Sequence, residues 1–235
     1  MRNFVGSVLL TAGLIAGGVW AQQVRTPKDK EQTDIAQLPR DTVVDTPKTD
    51  VLFTIDDGPS KYTLAIAKTL DSLWYKGIFF LVGEGITSKN RADLIEVLTM
   101  WHTLGNHSYS HPNFAKLGLQ RAERQIIWTD TLLSSLMAEA GVQQQKYFRY
   151  PYGVKIHKEY RKEFQSFLDS LGYAKPMYRH MDRGLYDRSH KAQNSNIASI
   201  KIGDTIVIHE RSWAVDEIIQ IADSLDKKRA KTRSD

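Results

Sequence analysis

From residue 51 onward, short apolar runs alternate with longer stretches of helical period. Val51 to Ile55 is an apolar run of strand length. Tyr62 to Tyr75 then repeats Leu64, Ala67, Leu70, Leu73 and Trp74 at helical spacing, with Gly77 as its predicted stop. Ile78-Phe79-Phe80-Leu81-Val82 is uninterrupted apolar sequence, as a strand covered on both faces requires. Asn90 to Leu104 predicts a helix with Leu94, Val97, Trp101 and Leu104 on one side and Gly105 as its stop, and a short strand leads into His107. Leu119 to Ala140 is the longest helical pattern, running through Ala122, Ile126, Thr129, Leu133 and Met137 to Gly141. Lys146 to Arg149 is predicted as a strand before a Pro151-Tyr152-Gly153 turn, Lys158 to Leu171 as a helix ending at Gly172, and Ala174 to Tyr178 as another strand. Thr205 to His209 is the last strand and Asp216 to Leu225 the last helix. Such alternation implies parallel strands joined by helical crossovers, an α/β fold.

The flanks of this body differ from it. Residues 1–21 open Met1-Arg2 and run apolar from Phe4 to Ala21, and Val19-Trp20-Ala21 fits the small-residue rule before a cleavage point. They are expected to act as a signal peptide or, uncut, as a membrane anchor, near the lower length limit for spanning. Residues 22–50 are polar, lack aromatics and carry Pro27, Pro39 and Pro47, the composition of a linker. The folded body is expected over 51–226, with a basic tail over 227–235. The formal charge is +5; the tail holds five basic side chains and one acidic, Arg2 adds one positive charge, and the body between sums to zero. Basic charge on a loose end rather than a folded face argues against nucleic acid as a partner. There is no cysteine, which excludes disulfides, thiolate metal sites and lipid-attachment cysteines. Export to a bacterial periplasm or cell envelope is the expected localisation.

Chemistry concentrates at the predicted strand ends. Asp56 and Asp57 close the first strand, and Gly58-Pro59 turns the chain. A surface turn that caps the next helix is the plain alternative for such a run, but adjacent carboxylates in a confined space call for a cation. His107 and His111 stand four apart between Gly105-Asn106 and Pro112, so they occupy a loop or a single turn. One carboxylate and two imidazoles make a three-ligand set for a divalent ion, and the second carboxylate stays free as a base. Arg149 ends another strand, where it can hold a carboxylate ionised, and the Pro151-Tyr152-Gly153 turn can aim backbone N–H groups at an oxyanion. His209, with Glu210, ends the last strand; a packed core histidine is the plain alternative there.

In this order and at these intervals the four elements resemble the polysaccharide deacetylases of carbohydrate esterase family 4, the NodB-homology type, over Val51 to Leu225. The resemblance implies a distorted, incomplete (β/α) barrel of about seven strands. It implies Asp57, His107 and His111 as metal ligands, Asp56 as catalytic base, Arg149 as its electrostatic partner, Tyr152 as a backbone oxyanion donor and His209 as general acid. Pro151 and Tyr109 are expected beside the substrate, with Tyr150, Tyr178 and Trp213 as further candidates for stacking on sugar rings. Zn²⁺ is the expected ion, with Co²⁺ or Ni²⁺ able to substitute and iron not excluded by the ligand set. The chain departs from the family on the late strand, where Leu185-Tyr186 stand in place of an Asp-Trp pair and Asp182 or Asp187 would have to orient the acid; Glu210 also replaces an Asp. The expected function is exported, metal-dependent removal of N-acetyl, or else O-acetyl, groups from a cell-wall or envelope polysaccharide. The alternatives are an amidase or esterase on a small acylated substrate, and a glycan-binding relative without activity. The pattern assigns no oligomeric state.

Overall fold

The apolar runs that alternate with helices become one parallel sheet. The structure is a computed structural model and describes residues 48–174, 176 and 197–234. All of them belong to the unit Asp45–Asp235; the unit Met1–Val44 lies outside them. Also outside are the predicted signal or anchor, most of the linker, most of the strand predicted over 174–178 and the late motif from Tyr178 to Asp187.

The elements are β1 (Lys48–Gly58), α1 (Thr63–Ser72), β2 (Tyr75–Leu81), α2 (Arg91–Thr99), β3 (Thr103–Asn106), α3 (Leu119–Ala140), α4 (Arg161–Ser170), β4 (Thr205–His209) and α5 (Ala214–Ser234). The strands lie in the order β3-β2-β1-β4, and every pairing is parallel. Parallel neighbours need crossovers, and α1 and α2 supply those between β1, β2 and β3. Beyond β3 the order continues through bridges: Asn106 pairs with Phe148, and Lys146 pairs with Tyr173. The segment predicted as a strand over Lys146 to Arg149 thus adds to the sheet by single bridges. Among the described residues the sheet stays open. Each strand therefore points its C-terminal end toward the same side of the molecule.

Two apolar clusters hold these layers together. The larger unites Phe53, Ile55, Phe79 and Leu81 of the sheet with Ile66 and Leu70 of α1, Leu94 of α2, Leu133 and Leu136 of α3, and Ile218 and Ile221 of α5. The smaller is aromatic: Phe114, Phe148, Tyr150 and Phe164 meet ring to ring at 4.7 to 6.1 Å beneath the 146–150 segment. The second cluster fixes the backbone that carries Arg149.

Four boundaries differ from the predicted ones. Gly77 and Gly105 do not stop helices but lie inside β2 and β3, where side chains crowd them. A Cβ at Gly105 would sit 2.7 Å from Phe80 Cδ1, and one at Gly77 would sit 3.0 Å from Ile55 Cδ1. The left-handed residues after α1 and α2 are instead Trp74 and Trp101, both at φ 63. β1 begins at Lys48, inside the predicted linker, because Lys48 N–H donates to Trp74 O at 2.7 Å and pairs with Tyr75. α5 runs through the basic stretch to Ser234. Two of its cations are anchored: Lys228 donates to Ala198 O and Ile200 O, and Arg229 to the Tyr75 hydroxyl. Among the described residues no helix is long and apolar enough to cross a membrane.

His102 ties α1 to β2. Its Nδ1 accepts from Gly77 N–H at 3.1 Å, so Nε2 carries the proton and donates to Ala67 O at 3.0 Å. Burial pushes its pKa down to about 4, a trend the Lys76 charge assists. An unfolded chain binds that proton near pH 6.5. Between these values the unfolded state holds more protons, so this part of the stability is complete above about pH 6.5 and declines as pH falls toward 4. Urea unfolding from pH 7 to pH 4 should show wild type losing about 3 kcal/mol more than His102→Gln. Parallel pH profiles for the two proteins would contradict this account.

Candidate functional site

β1 ends in two acids whose side chains must part. A regular strand would send neighbours to opposite faces. Asp57 instead adopts φ 65, and both carboxylates line one cavity of about 220 Å³ at the C-terminal ends of the strands. Asp56 pairs with His209 in the β1–β4 register, which brings the last strand's histidine to the same cavity.

Asp56 is buried, and its countercharge is Arg149. Arg149 Nη1 donates to Asp56 Oδ1 at 2.8 Å and to Thr54 Oγ1 at 2.9 Å. The guanidinium is 1% exposed and lies 4.5 Å from the Phe80 ring centre. Removal of either partner would strand a buried charge, a loss of roughly 3–5 kcal/mol.

Asp57 faces the histidines. His107 follows β3, with its N–H donating to Leu81 O at 2.9 Å. Its Nδ1 lies 2.9 Å from Arg149 O. A carbonyl only accepts, so Nδ1 holds the proton and Nε2 presents a bare lone pair. That Nε2 stands 3.5 Å from Asp57 Oδ1, and His111 Nε2 stands 3.2 Å from the same oxygen. One donor atom from each of the three residues lies within 4.8 Å of the others. Burial alone would push Asp57 up; the closeness of the His107, His111 and His209 imidazoles outweighs it and holds the carboxyl well below the usual carboxylate range. Two imidazoles, one fixed in the metal-ready tautomer, and an ionised carboxylate fit a divalent transition ion.

The loop carrying the histidines is fastened by side chains. Asn106 Oδ1 accepts from Ser108 N–H at 2.8 Å, and Ser108 Oγ accepts from His111 N–H at 3.1 Å. Gln125 of α3 accepts from the N–H groups of Tyr109 and Ser110 at 3.0 and 2.8 Å. These bonds hold Ser108 and His111 at φ 69 and 53. Gln125 carried no signal in the sequence, since a glutamine on a long helix reads as a solvated position.

On the far rim, Pro151 is buried beneath a turn that sets Tyr152 at φ 57. The Tyr152 ring lies edge-on to His111 at 4.5 Å. Gly153 and Val154 N–H donate to Tyr150 O and Pro151 O, whereas the Tyr152 N–H has no partner among the described residues. His209 Nε2 is 3.9 Å from Asp57 Oδ2. Burial lowers its pKa and the charges of Asp56 and Asp57 oppose that; the net direction is down. Arg211 also lines the cavity, 3.5 Å from Asp57 Oδ2.

The structure thus brings together Asp56, Asp57, His107, His111, Tyr152 and His209, with Arg149 and Pro151 directly behind them. Tyr109 is not among them. Its ring turns away to meet Trp128 edge-on at 5.2 Å, because its backbone is bound to α3. Tyr150 lines the cavity but is mostly packed against Phe114 and Phe148, and half-buried Trp213 does not line it.

Glu210 looked unremarkable in the sequence and is central in the structure. It is buried, and its Oε2 accepts from Ser60 N–H, Ser60 Oγ and Thr63 Oγ1 at 2.9, 2.6 and 2.7 Å. Its own N–H donates to Asp56 O at 3.1 Å. Burial raises its pKa, with the Asp57 charge acting in the same direction and the hydrogen bonds opposing them. Glu210 therefore clamps the turn that follows Asp57.

With this geometry in place, comparison with known proteins gives one answer. The family model for polysaccharide deacetylase matches residues 43–175. The chain belongs to the polysaccharide deacetylase family. A peptidoglycan-N-acetylglucosamine deacetylase of Bacillus cereus is 37% identical over 107 residues, 45% of this chain and 37% of that protein. A peptidoglycan-N-acetylmuramic acid deacetylase of Bacillus subtilis is 28% identical over 209 residues, 82% of this chain and 40% of that protein. The chain thus spans well under half the length of these relatives. A family 4 carbohydrate esterase from Streptomyces lividans, solved with acetate, shares the fold at TM-score 0.64 and 23% identity, over 78% of this chain and 91% of that one.

Glu210 also explains Gly58. A Cβ there would sit 2.2 Å from Glu210 Oε1 and 2.8 Å from Leu81 Cδ2. Gly58→Ala is expected to cost about 1–3 kcal/mol of stability. The shorter acid of Glu210→Asp should return part of that loss in the double variant, although Glu210→Asp alone destabilises. Urea unfolding of the four proteins measures the coupling, and strictly additive effects would rule out the contact.

Proposed function

We propose that the protein is an exported, metal-dependent deacetylase that hydrolyses N-acetyl groups of a cell-wall or envelope polysaccharide, with O-acetyl groups as a secondary substrate. The observation that carries this reading is the division of labour between adjacent acids. Asp57 is turned toward two histidines and Asp56 toward a buried arginine. The names of the peptidoglycan deacetylases among its relatives support a wall glycan as substrate.

Asp57, His107 and His111 would hold the ion, with Zn²⁺ the best match and Co²⁺ or Ni²⁺ able to replace it. When bound, a divalent ion polarises an acyl carbonyl and lowers the pKa of water toward ~7. The rest belongs to the chain. Asp56, kept as an acceptor by Arg149, takes a proton from the attacking water as its oxygen bonds to the acetyl carbon. The Tyr152 N–H donates to the oxygen that gains charge. His209 gives a proton to the departing nitrogen, the C–N bond breaks, and acetate and a free amine remain. That proton delivery accounts for roughly two to four powers of ten in rate. An amide needs it because an unprotonated amine leaves poorly.

Acetate release from peptidoglycan, chitin and xylan fragments tests this. Chelation should abolish release, and Zn²⁺ or Co²⁺ should restore it. Asp57→Asn should lose the metal by elemental analysis. Asp56→Asn should keep the metal and lose the activity, and His209→Ala should lower kcat about 10²- to 10⁴-fold. Bound metal with no acetate from any glycan would leave a glycan-binding relative. Turnover of a simple acyl amide but no oligosaccharide would move the substrate to small molecules.

A further inference from the structure

Among the described residues, six other than glycine hold positive φ angles. Asp57, Ser108, His111 and Tyr152 belong to the site and its loops. The other two, Trp74 and Trp101, stand at the opposite ends of the strands, just ahead of β2 and β3. The chain provides its own comparison. α3 and α4 also end in left-handed residues, and there the sequence supplies Gly141 and Gly172 at φ 67 and 78. Glycine takes this conformation freely, and a bulky side chain takes it at a cost.

Burial recovers little of that cost at Trp101, which is 80% exposed, and Trp74 still leaves 46% of its surface to solvent. Ile202, on the turn before β4, is 62% exposed. The turns leading into β2, β3 and β4 therefore each present a large apolar side chain to solvent. Backbone strain retained without a packing gain points to a use outside the fold.

The charge beside these turns is basic. Arg229 of α5 bonds the Tyr75 hydroxyl at the start of β2, and Lys48 at the start of β1 lies 5.1 Å from the same ring. Lys228 reaches the carbonyls of Ala198 and Ile200 ahead of β4. Of the neighbouring acids, Asp226 pairs with Lys48 and Arg229, Asp71 pairs with Lys76, and Asp204 accepts from Lys201 N–H. Lys227 and Lys231 are exposed on the same end of α5. β1 also opens at this face, with Lys48.

We propose that this face docks on an anionic lipid bilayer. Trp74, Trp101 and Ile202 would sit at headgroup level, where indole rings are favoured, and the basic end of α5 would lie over anionic headgroups. The cavity, at the other ends of the strands, then faces away from the lipid. A glycan could stack on the tryptophans but would gain nothing from the basic helix end, so lipid is the better match. The inference is independent of the catalytic reading.

The test uses the full chain reconstituted in vesicles of phosphatidylcholine, with and without phosphatidylglycerol, each containing brominated lipid. Quenching of tryptophan fluorescence is compared between wild type and Trp74→Gly/Trp101→Gly. Glycine suits both φ angles, so that variant should melt no lower than wild type. The expected result is quenching in phosphatidylglycerol vesicles that exceeds the background shared by Trp20, Trp128 and Trp213. The excess should vanish in the glycine variant and shrink in high salt and in Lys227→Glu/Lys231→Glu. Equal quenching of wild type and glycine variant overturns the proposal. So does protection of Trp74 and Trp101 from iodide by soluble acetylated glycan instead of by lipid. Should the glycine variant fail to fold, the charge-reversal arm decides alone: unchanged quenching there also overturns it.

Discussion

Two carboxylates on consecutive residues repel one another, and burial makes that repulsion severe unless each has its own countercharge. The left-handed backbone at Asp57 brings both acids to one cavity, and separate partners keep them apart there, with Asp57 facing His107 and His111 while Asp56 stays on Arg149. Everything around the cavity serves that separation. The aromatic cluster fixes the Arg149 backbone, whose carbonyl in turn fixes the His107 tautomer. Parallel pairing sets His209 opposite Asp56, and Glu210 clamps the turn after Asp57. Arg149 therefore acts twice, through its side chain on one acid and through its carbonyl on a ligand of the other.

This arrangement makes the site mutually dependent. Arg149 is buried, and the Asp56 carboxylate beside it balances its charge. Asp57 is held ionised by its histidine partners and needs no arginine for that. Two acids thus keep distinct environments although they are adjacent in sequence. Adjacent carboxylates with separate partners are what the proposed acid–base chemistry beside an ion requires.

Much of this was legible in the sequence, and the reason is range. The apolar run Ile78 to Val82 and the helical period of Leu119 to Ala140 are local signals, and both elements formed where they point. The Asp56-Asp57 and His107-His111 spacings are local as well. Glycine misled at Gly77 and Gly105 because it serves two purposes, ending a helix and admitting a neighbouring side chain, and only the tertiary contact with Phe80 or Ile55 tells them apart. The extension of α5 was hidden because lysine and arginine read as solvated, while Lys228 and Arg229 use partners more than 25 residues away. Glu210 was opaque for the same reason, since its three donors come from Ser60 and Thr63. The direction of the Tyr109 ring is not legible in the sequence, because a loop residue's direction depends on what its backbone bonds, here Gln125.

A parallel sheet has an inherent polarity that an antiparallel one lacks: every strand starts on one face and ends on the other. Loops beyond the strand ends can specialise for chemistry without disturbing the turns that lead into them. In this chain the strained non-glycine residues divide along that axis, four at the strand ends and two at the strand starts. The seven residues of β2 separate the two groups by about 20 Å at ~3.3 Å per residue. If the starting face lies on lipid as proposed, the cavity opens at least that far above the headgroups. A substrate held within the bilayer surface would not reach it, whereas a polymer extending outward would. The orientation proposed from Trp74 and Trp101 and the substrate class proposed from Asp56 and Asp57 rest on separate residues, yet they select the same side of the membrane surface for the chemistry.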